Sequence, residues 1–359
     1  MMIGKIKGLN YTSLFLLILL SLIINTYIFN NLLITGIFLT FYFVAFLLTK
    51  YGLQIIKQLQ LFANIRDEGP TNHLKKKNTP TMGGIFIILP FLFLLLVINH
   101  KYDSFSISLL FFFTLSFFIV GFLDDYLSIW NNENTGLKSF EKFVLQALIS
   151  ILFIVLASQS NYINPLINSS NDWNINNNLI IFPISLFILV GFSNAVNLTD
   201  GLDGLASGCS AIVFFGLGTE IFISNQNEFV IYGLISYAMS GLCMGFLKFN
   251  KYPARIFMGD TGSLTIGAIL GSISILTNSF YTLFIISGIY IIEALSVIIQ
   301  VSFFKVTKKI FKRGKRFFLM TPIHHHFELQ GIKEEKIVEN FWKVNILLVV
   351  LGIVLKINI

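Results

Sequence analysis

Long apolar runs recur along the whole chain, and they leave few folds open. Ten of them, near residues 32–50, 82–99, 105–123, 140–158, 178–196, 205–224, 229–248, 263–277, 280–304 and 339–358, approach the length a helix needs to cross a bilayer, about 20 residues. Charged residues make up 12% of the 359 positions against 55% hydrophobic ones, where an average soluble domain carries about 25% charge. A soluble enzyme is excluded. The expected fold class is all-α, a polytopic membrane protein of about ten transmembrane helices, with residues 32–359 forming a single transmembrane domain. Residues 1–31 hold a further apolar run, 13–29, behind Lys5 and Lys7. Its length and its lack of a small-residue cleavage site argue against a signal peptide, leaving an extra span or an interfacial helix.

The formal net charge of +7 could point to a nucleic acid, but the basic residues sort by side. With strict alternation of spans, one set of loops holds Lys57, Arg66, Lys75, Lys76, Lys77, Lys138, Lys142, Lys251, Arg255 and the cluster from Lys305 to Arg316. The opposite loops hold little beyond Lys101, and the Asn-rich stretch from Ser160 to Asn178 has no Lys or Arg. By the positive-inside rule the basic side is cytoplasmic. The charge therefore reports topology, and no nucleic-acid partner is implied. Cys209 and Cys243 lie in apolar stretches without paired or metal-like spacing and read as small buried hydrophobes.

Acids at a membrane are costly, so each needs an explanation. Asp124 and Asp125 close the third run in GFLDDY, Asp200 and Asp203 follow the fifth in NAVNLTDGLDGLA, and Asp260 follows the seventh in FMGDTGS. Alternation brings all five to the cytoplasmic edge, which places a catalytic cleft there. A lone Asp at a span end is usually solvated or caps a helix; five on one face are not so easily dismissed. Adjacent carboxylates such as Asp124 and Asp125 repel unless a cation sits beside them. Oxygen-only ligands without Cys or a His pair favour a hard cation, and Mg²⁺ is typically held by one or two carboxylates plus substrate phosphates.

His324, His325 and His326 in TPIHHHFE reach the same edge. Consecutive helical side chains point about 100° apart, so the three cannot converge on one metal, and substrate contacts are the better expectation. Asn194, Asn197, Asp200 and Asp203 recur at every third position, one drifting stripe if the segment is helical. Lys75, Lys76 and Lys77 precede Pro80, Gly83 and Gly84 on the same side, where at least one lysine could meet a phosphate. A cation, carboxylates, lysines and glycines on a membrane face suit phosphoryl transfer between a soluble nucleotide-linked donor and a lipid acceptor, chemistry that needs positioning and charge neutralisation.

The strings PTMGG, GFLDDY, NAVNLTDGLDGLA, FMGDTGSL and PIHHHFE, in this order and spacing from about residue 66 onward, resemble the phospho-N-acetylmuramoyl-pentapeptide transferase family of the polyprenyl-phosphate N-acetylhexosamine-1-phosphate transferase superfamily. The resemblance implies transfer of phospho-MurNAc-pentapeptide from its UDP carrier to undecaprenyl phosphate, giving lipid I and UMP with Mg²⁺, by a multi-pass enzyme of the bacterial inner membrane among membrane lipids. It implies that Asp124, Asp125 and Asp260 are the catalytic acids and metal ligands, Asp260 foremost. It also implies uracil stacking on Phe257, with Lys76, Asn194, Asn197, Asp200, Asp203 and Asn250 along the nucleotide site. Lys142, Gln300 and His324, His325 and His326 complete the substrate contacts it implies. A homodimer is left open.

Thr135, Asn78 and Thr321 stand where the family often has Lys, Gly and Ala, and the segment from Lys305 to Arg316 is several residues long for it. These departures touch fine substrate contacts. Two alternatives remain: a transferase using UDP-GlcNAc, against which PTMGG with PIHHHFE argues, and a proton-coupled transporter. Transporter sites lie near the bilayer midplane, whereas these acids sit at span ends.

Overall fold

The computed structural model describes residues 9–62, 76, 79–131, 136–159, 178–224 and 226–357. Among them are thirteen α-helices and no strand. The all-helical class expected from the apolar runs is the class observed. A backbone in hydrocarbon must bond within its own element, which leaves helices as the solution for runs of this kind.

At the centre stands a hairpin of α7 (Leu205–Ile223) and α8 (Val230–Asn250). Every residue of α7 from Leu205 to Phe222 is buried. Around the hairpin lie α1 (Tyr11–Ile28), α2 (Leu33–Gln58) and α13 (Glu334–Ile357), with α2 running along α8 and α13 along α7. On a second flank, α9 (Asp260–Leu276) packs between α4 (Phe105–Asn131) and α6 (Asn178–Thr199); α3 (Ile85–Tyr102) and α5 (Ser139–Gln159) close that side. The peripheral helices turn apolar residues outward: Phe93, Phe112, Phe187 and Leu347 are each more than 60% exposed. In water such a surface would aggregate; here it is the face turned to lipid.

Small residues set the closest approaches. A Cβ on Gly241 would lie 2.4 Å from the Phe38 carbonyl oxygen, and one on Gly245 would lie 2.3 Å from that of Tyr42. Without side chains at this small-xxx-small pair, α8 and α2 pack backbone to backbone.

Among the described residues, ten helices are long and apolar enough to cross a membrane, but they are not the ten read from the runs. The run at 13–29 is helix α1 and counts among them. Its start is tied to the site end of the bundle, where the Leu9 N–H donates to the Glu339 carboxylate and the hydroxyls of Tyr11 and Tyr42 lie 2.9 Å apart. Its far end meets the opposite end of the hairpin, where the Asn25 amide donates to Thr219 at 2.9 Å and Tyr237 at 3.0 Å. Conversely, the run at 263–277 forms the 17-residue α9, just short of that length. The run at 280–304 is two helices, α10 (Phe280–Ile286) and α11 (Gly288–Phe311), broken at Ser287.

One correction bears on the site. Asp124 and Asp125 do not close a helix, because α4 continues through them to Asn131. Phe122, Tyr126 and Trp130 stack at one-turn intervals, 6.2 Å between successive rings, and carry the helix on.

Candidate active site

The site grows from an unusual helix start. Helix α9 begins at Asp260 behind Gly259, which has φ +74° and no side chain to offer its first N–H groups. A cap normally comes from the preceding Ser, Thr, Asp or Asn. Here it comes from α4: Asp125 Oδ1 accepts the Asp260 N–H at 3.0 Å, and Oδ2 accepts the Thr261 N–H at 2.9 Å and the Thr261 hydroxyl at 2.6 Å. A Cβ on Gly259 would fall 2.4 Å from Asp125 Oδ2, and one on Gly121 would fall 2.3 Å from the Asp260 carbonyl oxygen, so both glycines permit the approach.

That approach brings Asp124, Asp125 and Asp260 together, one carboxylate oxygen of each lying within 4.8 Å of the others. Lys142, on the first turn of α5, reaches between them, with Nζ 2.6 Å from Asp260 Oδ2 and 3.2 Å from Asp124 Oδ2. The remaining Asp260 oxygen accepts from the Asn197 amide at 2.7 Å, and Asp124 Oδ1 accepts the Leu137 N–H at 3.0 Å. The donor set is all oxygen and strongly anionic, and one lysine offsets only part of its charge. These residues fit a hard metal cation.

A second ionic cluster lies beside it. Lys76 Nζ bonds to Asp203 Oδ1 at 2.6 Å and to both oxygens of Glu334, at 2.6 and 2.9 Å. Asp203 Oδ2 in turn accepts the Ala254 N–H at 2.8 Å. Burial alone would lower the Lys76 pKa, but Asp203 and Glu334 outweigh it and raise it above the ordinary lysine value. Between the clusters, in the turn after α6, burial pushes the Asp200 carboxyl well above the usual range, and Asp260, Asp125 and Asp203 push it further.

The residues singled out in the sequence therefore meet at one end of the bundle, with different occupations. Helix α6 ends at Thr199, so the stripe divides: Asn194 and Asn197 are helical, Asp200 and Asp203 lie in the turn. Asn194 donates to Gln146 at 2.6 Å and to the Val190 carbonyl at 2.8 Å. Asn250 is buried and spent within the protein, accepting from Ser207 at 2.6 Å and donating to the Ile256 carbonyl at 3.0 Å. Gln300 holds residues 317 and 318 by their backbone. Phe257 is half-buried and lies outside the apolar core; its backbone pairs with Pro80 and Gly83. The histidines on α12 (Ile323–Leu329) diverge as expected: His324 faces Glu293, His325 faces Glu328 at 2.6 Å, and His326 accepts the Leu319 N–H. Lys75, Lys77, Asn78 and Thr135 lie outside the described residues.

Three participants escaped the sequence reading. Glu334 left only a weak signal, an acid pair opening the last helix. Thr261 left none. Glu293 left a clear one, an acid within the run 280–304.

Residues 107–278 match the model of glycosyl transferase family 4. Together with the ten long apolar helices, this defines a multi-pass membrane protein of the phosphoglycosyl transferase class. Residues 76–88 match a phospho-N-acetylmuramoyl-pentapeptide-transferase signature. A protein of that name from Prochlorococcus marinus subsp. pastoris (strain CCMP1986 / NIES-2087 / MED4) is 74% identical over the full length of both chains. One from Prochlorococcus marinus (strain MIT 9301) is 63% identical, also over both full lengths. One from Synechococcus sp. (strain CC9605) is 41% identical over 85% of this chain and 87% of that one. The chain belongs to the phospho-N-acetylmuramoyl-pentapeptide-transferase family.

Proposed function

We propose that this protein transfers phospho-MurNAc-pentapeptide from UDP to undecaprenyl phosphate, with release of UMP and formation of lipid I. The observation that carries the reading is similarity over the full length to members of the family, combined with a carboxylate triad and a lysine at one end of the helix bundle. An oxygen of the lipid phosphate attacks the sugar-bearing phosphorus of the donor. The bond from that phosphorus to the bridging oxygen breaks, and UMP leaves with the electron pair. The lipid phosphate has a second pKa near 6 and is largely dianionic at neutral pH, so no indispensable base is required.

Asp124, Asp125 and Asp260 would hold Mg²⁺, which when bound neutralises phosphate charge and orients the diphosphate. Lys142 brings a fixed positive charge to the same point. Asn197 fixes the Asp260 carboxylate, and the Asp125 cap fixes the helix that carries it. Lys76, Asp200 and Asp203 border the nucleotide side, and Phe257 offers its ring to uracil. Asn250 and Gln300 act by holding the loops around residues 256 and 318.

Purified protein should release UMP from UDP-MurNAc-pentapeptide and undecaprenyl phosphate and not from UDP-GlcNAc; release from UDP-GlcNAc alone would defeat the reading. In the same assay, Phe257→Ala should raise the donor KM about tenfold and leave the lipid KM unchanged, since base stacking is worth roughly 1–3 kcal/mol. An unaltered donor KM in the folded variant excludes stacking.

The same reading puts the site on the cytoplasmic side of the bacterial inner membrane, where the basic loops lie. Helix α1, which is among the helices long and apolar enough to cross, then starts on the basic side. Cysteines placed between Ser160 and Asn178 should react with a membrane-impermeant thiol reagent in intact cells with permeable outer layers. Labelling only after lysis would reverse the orientation.

A further inference from the structure

Glu293 is an acid that the transfer chemistry leaves unused. It lies early in α11, fully enclosed, and its Oε1 is 3.1 Å from Nδ1 of His324, which is also fully enclosed. Among the described residues, neither Glu293 Oε2 nor His324 Nε2 has a hydrogen-bond partner. Such a pair is an expensive way to hold two helices together. Apolar side chains of similar volume are as stabilising or more so, whereas removing one partner of the pair leaves the other unpaired.

The far side of the imidazole shows what the pair is for. A Cβ built on Gly201 would lie 2.2 Å from His324 Nε2, so the ring is pressed directly against the backbone of that glycine. Gly201 is flanked by Asp200 and lies two residues before Asp203, the acid that Lys76 and the Ala254 N–H engage. The imidazole can rotate about its side-chain bonds unless one edge is anchored, and the Glu293 carboxylate accepting the Nδ1 proton is that anchor.

We propose that Glu293 is a positioning residue: through His324 it fixes the turn that presents Asp200 and Asp203 to the nucleotide-linked donor. This rests on the transferase reading above. Because the role is orientation and not charge, glutamine should serve, since its Oε1 still accepts from Nδ1. Leucine should not, although it suits an apolar helix.

The test compares wild type, Glu293→Leu, Glu293→Gln, His324→Ala and the Glu293→Leu, His324→Ala double variant. Glu293→Leu leaves buried His324 without its Nδ1 partner, so it should melt below wild type in detergent and lose at least about tenfold in kcat/KM for the UDP donor, whereas the double variant, with neither group left to pair, should regain stability without regaining activity. Glu293→Gln should stay within about threefold of wild type, and the double variant should be no worse than His324→Ala alone. Selective ¹⁵N-histidine spectra, simple with five histidines in the chain, should show His324 protonated at Nδ1 in wild type and released in Glu293→Leu. Unchanged kinetics in Glu293→Leu would overturn the proposal, as would activity that returns with the melting temperature in the double variant, or losses that add in it. A wild-type protein that releases no UMP would defeat the transferase reading instead. The spectra then decide alone: an unchanged His324 signal in Glu293→Leu overturns the proposal, and a changed one supports the anchor.

Discussion

Asp260→Asn should abolish turnover while leaving the melting temperature close to wild type. In the native site both carboxylate oxygens of Asp260 accept from cationic or amide donors, Lys142 at 2.6 Å and Asn197 at 2.7 Å. Asparagine keeps one acceptor and puts an NH₂ where the second stood, so one of the two donors faces another donor. It also removes one of three negative charges from the triad and replaces a carboxylate with a weaker ligand for a hard cation. The first turn of α9 keeps its cap, because Asp125 bonds to the backbone of residue 260 and not to its side chain. A loss of at least about a hundredfold in kcat is expected, the scale seen when one preorganised charge-stabilising group is removed. Residual activity above about a tenth of wild type would take Asp260 out of the mechanism.

Asp125→Ala should lose activity to a similar extent and, unlike Asp260→Asn, should also lower stability. Alanine leaves the Asp260 N–H, the Thr261 N–H and the Thr261 hydroxyl without the acceptor that serves all three. Loss of a helix cap costs about 0.5–2 kcal/mol, and charged acceptors sit at the upper end. The apparent melting temperature in detergent should therefore drop by about 3–6 °C, on the scale of 2–4 °C per kcal/mol for larger domains. The paired measurement separates two jobs of one side chain. A stable, inactive Asp125→Ala would mean that the cap contributes nothing, and an unstable variant active once folded would mean that the carboxylate does not serve the reaction.

These two variants mark where sequence reasoning stops. That Asp124, Asp125 and Asp260 belong together was legible because acids are rare in apolar runs and alternation sends all three to one side. That one of them caps the helix bearing another was not. The pairing joins residues 135 apart, and the sign that a remote cap was needed, a glycine at φ +74° before α9, is a backbone angle that no residue pattern prints. The triple lysine could not say which lysine matters; the contact of Lys76 with Glu334 spans 258 residues. The divergence of the three histidines was legible from helical geometry alone, but their partners were not.

The sequence by itself determined an all-helical membrane protein, the gathering of its acids and the family to which its motifs point. Such signals are local and cumulative: apolar length, the sorting of lysines between loops, and short strings whose spacing survives without knowledge of neighbours. The tertiary structure alone decided which helices touch, and so decided everything that depends on a second element. It carried α4 past its acids to Asn131, broke the run at 280–304 at Ser287, ran α1 along the hairpin from end to end, and set Lys142 between two carboxylates. The physical reason is range. A helix forms from interactions among residues three or four apart, whereas a site forms where hydrogen bonds and ion pairs of about 3 Å join side chains that only packing brings together.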